Sequence, residues 1–119
     1  MSDGQPTDAY RCGQLYAALA ALERLGSPSA KASLDRPGER SKASQNPRGT
    51  LKGHLDRAVT YLMHARSRRK GTEAAAIFRS IPELLPESKE LPGSLGFAQQ
   101  DDFSQGWHAQ VKALEAAAH

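Results

Sequence analysis

The sequence predicts a small all-α protein, a bundle of four to five helices in a single domain. Apolar residues recur at three- and four-residue steps over several separate stretches, and Gly- and Pro-rich runs punctuate those stretches. No run of comparable length alternates polar and apolar residues as a half-buried strand would, and no internal repeat is present. Its 119 residues suit one core, and 39% hydrophobic with 24% charged residues is an ordinary globular balance.

The first helix is expected over residues 8–25. Cys12, Leu15, Leu19 and Leu22 form its stripe, widened by Tyr16, Ala18 and Leu25. Thr7 or Asp8 caps its start, and Gly26 with Pro28 stops it. Residues 27–49 are rich in Ser, Pro, Gly, Lys and Arg, with Leu34 the one large apolar residue, so a long, partly mobile basic connection is expected. A short helical turn at residues 30–35 would end at Pro37 and Gly38.

From Pro47 the pattern resumes with Leu51, Leu55, Ala58, Val59, Leu62 and Met63 on one face, and predicts one long basic helix. It closes in Arg66, Arg68, Arg69 and Lys70 ahead of Gly71, where cations suit the negative helix end. A shorter helix follows over residues 72–81, with Thr72 as cap and Pro82 as boundary. After a breaker-rich connection at 86–94, Phe103, Trp107, Val111, Leu114 and Ala118 lie on one face of a last helix. Gly106 there admits close approach of another helix, and helical spacing favours core packing for Phe103 and Trp107 over a role as interface anchors.

Charge is informative through its distribution. The net charge is +3, yet between Lys31 and Lys70 eleven basic residues face only Asp35, Glu39 and Asp56. Candidate nucleic-acid-binding residues are Arg36, Arg40, Lys42, Arg48, Lys52, Arg57, Arg66, Arg68, Arg69 and Lys70. Cations without interleaved aromatics favour backbone tracking over base stacking, and hence no sequence specificity. The bland alternative is a solvated basic surface.

Other chemistry finds little footing. Cys12 is the single cysteine, so no internal disulfide forms; its place on the apolar stripe makes it a core residue rather than a nucleophile, and a reducing compartment fits. His54, His64, His108 and His119 stand at no metal-ligand spacing, so no metal or cofactor is expected. Asp101 and Asp102 suit the positive end of the last helix and need no catalytic explanation. The short polar N-terminus is unlike a signal peptide, and no window approaches the roughly 18 apolar residues of a membrane span. A cytoplasmic, non-enzymatic protein without a membrane partner is expected.

Three stretches, taken in order, resemble a known family. Ala9, Tyr10, Gly13, Leu15 and Leu22 look like one of its helices, and Ala43, Ser44 and Pro47, followed by Leu51 and Leu55, are similar to the pattern that opens the next. Gln100, Phe103, Gly106, Trp107 and Gln110 match its closing segment of Gln, Phe, Gly followed by an aromatic, and Gln. The family is that of the small subunit of the type I-C CRISPR interference (Cascade) complex, equivalent to the C-terminal portion of its large subunit and made from an internal start. Met1 just ahead of the first matching helix looks like that start.

The resemblance implies a helical bundle along the belly of a crRNA-containing complex for antiviral defence. It would touch the backbone and large subunits, and other copies of itself, while helping to hold the displaced non-target DNA strand of the R-loop. The competing class is a helical protein–protein interaction adaptor without direct nucleic-acid binding.

Overall fold

The computed structural model describes residues 7–26, 34, 38–86 and 90–117. Six helices are present among them: α1 Asp8–Gly26, α2 Glu39–Gln45, α3 Pro47–Asp56, α4 Ala58–Ser67, α5 Gly71–Leu84 and α6 Phe97–Ala117. The all-α expectation holds, and the helix number is corrected from four or five to six.

At the start of α1 the Thr7 hydroxyl oxygen accepts the Tyr10 amide at 3.1 Å, satisfying a donor that lacks a helical partner, and the Thr7 carbonyl accepts the Arg11 amide as the first helical bond. The helix is buried well beyond the predicted stripe. Ala9, Ala17 and Ala20 are covered along with Leu15, Tyr16, Ala18, Leu19 and Leu22, because α1 is the hub on which α6, α4 and α5 all pack. Small alanine side chains let several neighbours approach one helix at once, a use that a search for large apolar residues does not register.

The α1–α6 pairing is the most extensive among the described helices, and glycines set its closeness. A Cβ on Gly13 would collide with the backbone of Phe103 and Trp107, and one on Gly106 would collide with the backbone of Tyr10. The two main chains are therefore in mutual contact where α1 and α6 cross. Beside this crossing, Phe103 is fully buried with its ring edge-on to Tyr16, centroids 6.0 Å apart.

Four expectations at element boundaries are revised. Part of the 27–49 connection is helical: Gly38, at φ 86, leads into α2, whose Ala43 is fully buried, and the Asn46 side chain caps α3 by accepting the Gly49 amide at 2.9 Å. The expected turn at 30–35 lies outside the described residues except for Leu34, whose amide donates to buried Glu23 at 3.1 Å and whose carbonyl accepts the Tyr16 hydroxyl.

The long helix predicted from Pro47 is broken at Arg57, whose amide is shared between the Gly53 and His54 carbonyls at 3.2 and 3.1 Å, tightening the last turn of α3. Helix α5 starts at Gly71 with Lys70 as its cap residue, so Thr72 lies inside the first turn instead of capping it. It also runs through Pro82. A proline this near the helix end forfeits a single backbone bond, while Ile81 and Leu84 on either side are buried.

Candidate nucleic-acid interface

The cations at the α4–α5 junction are presented by an unusual turn. Lys70 N–H bonds to the Ala65 carbonyl at 2.8 Å and Arg69 N–H to that of Arg66 at 3.1 Å, closing α4 with Arg69 in the left-handed region at φ 63. This is the position where helix ends ordinarily use glycine, and a side chain there costs about 1 kcal/mol. Arg66, Arg68, Arg69 and Lys70 are all exposed around the turn.

Arg66 and Arg69 line a shallow depression of about 480 Å³ with Gly71, Thr72, Ala75 and Arg79. No carboxylate lines it. Among the described residues the three guanidinium groups have no ion-pair partner, whereas Lys70 is 3.9 Å from Glu73. Arg79 was not among the cations singled out in the sequence, since it lies beyond the basic run. The spacing of Thr72, Ala75 and Arg79 on one face of α5 is the signal that would have found it.

The remaining candidates divide. Lys52 and Arg57 are exposed on α3 and at its end, and Lys42 on α2 is exposed, 3.4 Å from Glu39. Arg48 is committed to the fold: its Nε donates to the Leu91 carbonyl at 2.9 Å and its guanidinium is 3.6 Å from Glu90, fastening residues 90–95 to α3. Arg40 lies over the Trp107 ring, 4.0 Å from its centroid, a cation–π contact worth about 0.5–1 kcal/mol at an exposed site. Arg36 lies outside the described residues. The structure thus brings Arg66 and Arg69 to one depression with Arg79, and sets Arg40 and Arg48 to other work.

Behind α3 and α4, His54 Nδ1 and the Tyr61 hydroxyl form a hydrogen bond of 2.7 Å across the break at Arg57. Burial pushes the Tyr61 phenol up; burial, with Arg57 adding to it, pushes the His54 imidazole down against the opposing pull of Glu23 and Glu39. Folded His54 therefore holds its proton less well than unfolded His54, and the unfolded chain binds more protons as the pH falls below about 6.5. The stability this contributes is present above that pH and lost below it. The urea midpoint is expected to drop as the pH is lowered through 6.5, and His54→Gln to flatten that drop; equal slopes in the two proteins would assign the effect to other groups.

Cys12 is fully buried, and burial, reinforced by nearby Asp8, pushes its thiol up to about 12, so it is a packing residue and not a thiolate at neutral pH. No group of three or more His, Cys, Asp or Glu side chains suited to a metal occurs among the described residues. No helix among them is long and apolar enough to cross a membrane. Asp102 accepts a bond from the Thr7 hydroxyl at 3.2 Å and Asp101 one from the Gln105 side chain at 2.8 Å, local roles at the start of α6.

A second concavity lies between α5 and α6, which pack on α1 without packing on each other. Its volume is about 1180 Å³, its floor includes Ala17, Ala20 and Ala21, and Ile77, Trp107 and Leu114 stand in its walls. No protein-family model matches the chain, and comparison with curated proteins finds no match.

Proposed function

We propose that this protein is a non-catalytic small subunit of a type I CRISPR RNA-guided surveillance complex, acting in the cytoplasm. In this reading it contacts the backbone and large subunits and holds the displaced DNA strand of the R-loop. The observation that carries the nucleic-acid part is the α4–α5 junction, where Arg66, Arg68 and Arg69 stand exposed with no carboxylate in ion-pairing reach among the described residues. Three resembling stretches in the family's order support the assignment to this class of complex. The mechanism is electrostatic: cations neutralise backbone phosphates of the displaced strand, release its counterions and so disfavour re-annealing.

The adaptor reading is supported by a different observation, the apolar groove between α5 and α6, which has the helical walls that a partner helix would need. Single-stranded DNA binding over a salt series separates the two. The wild type is expected to bind without sequence preference and to lose affinity steeply with salt, and Arg66→Glu/Arg68→Glu/Arg69→Glu/Lys70→Glu to abolish binding. Equal and negligible binding by both proteins would leave the adaptor reading ahead.

A further inference from the structure

Within helix α4, Val59 and Met63 are large apolar side chains that are 54% and 63% exposed. Val59, Met63 and Arg66 are spaced four and three residues apart, so they share one face of α4, along about 10 Å of helix. Arg66 belongs to both features: it ends this apolar strip and lines the depression completed by Arg69 and Arg79. An apolar strip running into a pocket of three guanidinium groups without an ion-pair partner among the described residues is complementary to a ligand with apolar faces on an anionic backbone. Unpaired bases offer such faces; in a duplex they are stacked and turned inward.

We propose that α4 seats single-stranded nucleic acid in preference to duplex, with a backbone phosphate in the Arg66–Arg69–Arg79 depression and unpaired bases against Met63 and Val59. The proposal rests on the nucleic-acid reading above and deepens it by naming the seat and one residue, Arg79, outside the basic run. The planar guanidinium groups suit phosphate oxygens.

The test compares a fluorescein-labelled oligo-dT strand with a mixed-sequence duplex of the same length, using the full chain at low and rising salt. Arg66→Gln/Arg69→Gln/Arg79→Gln is expected to weaken oligo-dT binding about 100-fold and to make the salt slope shallower by about 0.7, as for one phosphate on a single strand. Val59→Ser/Met63→Ser is expected to weaken oligo-dT binding about fivefold or more and to leave duplex binding unchanged. Lys42→Gln/Lys52→Gln serves as the distant control and stays within about twofold. Far-UV circular dichroism and thermal melting establish that each variant is folded.

Oligo-dT binding that survives the triple arginine variant and disappears in the control would overturn the seat while leaving the nucleic-acid reading intact. Duplex binding as tight as oligo-dT binding, or equal loss of both in the Val59/Met63 variant, would overturn the preference for a single strand. Failure of the wild type to bind either form at low salt would remove the seat and the nucleic-acid reading together.

Discussion

Gly106→Ala is expected to destabilise the protein by about 3 kcal/mol or more, and Gly13→Ala by a similar amount. The sign is the informative part, because alanine in an ordinary helix interior is favoured over glycine by about 1 kcal/mol. Here the added methyl of Gly106→Ala meets the Tyr10 backbone, and that of Gly13→Ala meets the Phe103 carbonyl and the Trp107 amide. Main-chain atoms cannot swing aside as the end of a flexible side chain does, so α1 and α6 must separate along their length. Separation also loosens the burial of Phe103, Tyr16 and Cys12 next to the crossing. Urea denaturation followed by circular dichroism checks this; a midpoint at or above that of the wild type would show that the backbones are not in contact there. Gly53, whose added Cβ would meet nothing nearby, is the matched control, and Gly53→Ala is expected to stabilise.

Phe103→Ala is expected to cost about 3–5 kcal/mol, lowering the melting temperature by roughly 12–20 °C. Phe103 is fully buried at the α1–α6 contact, its ring edge toward Tyr16. Truncation removes its transfer energy and leaves a cavity among helices that are already fixed by the glycine crossing and so collapse poorly into it. Trp107→Ala, at a half-buried ring that carries Arg40 on its face, is expected to cost less. Melting of the two variants side by side is the check, and a larger loss in Trp107→Ala would show that the core is centred elsewhere. Against a total stability of about 5–15 kcal/mol, either the glycine or the phenylalanine change removes a large share.

Much of this architecture was legible in the residues, for reasons that also explain where legibility ended. Helices α1 and α6 could be read because large apolar side chains recur along them, and the closeness of their packing was signalled by Gly106. Helix α2 escaped because Ala43 is its one buried residue, and a single small side chain carries no period. The break at Arg57 escaped because the apolar pattern runs straight through it from Leu51 to Met63; the break is a matter of backbone hydrogen bonds at Gly53 and His54, to which side-chain spacing is blind. Pro82 misled in the opposite direction, since a proline in a final turn breaks one bond and not a helix.

The candidate site was legible as a region and not as a set of residues. A local excess of cations marked the stretch from Lys31 to Lys70, yet which cations remain available depends on partners distant in sequence. Arg48 is drawn off by Leu91 and Glu90, and Arg40 by Trp107. Arg79 reaches the site from the other direction, carried there by the turn at Arg69 and the length of α5.

The position of α1 at the centre has a consequence for how the protein is made. Its principal neighbour is α6, and the bond from Thr7 to Asp102 joins residues 95 positions apart. Synthesis proceeds from the N-terminus, so the helix with the most buried residues emerges before the other described helices and waits for its main covering surface until nearly all of them have been translated. Contacts of such long sequence separation slow folding through the entropy of closing the intervening chain. During that interval the alanine- and leucine-rich face of α1 is the part of the nascent chain most in need of a chaperone.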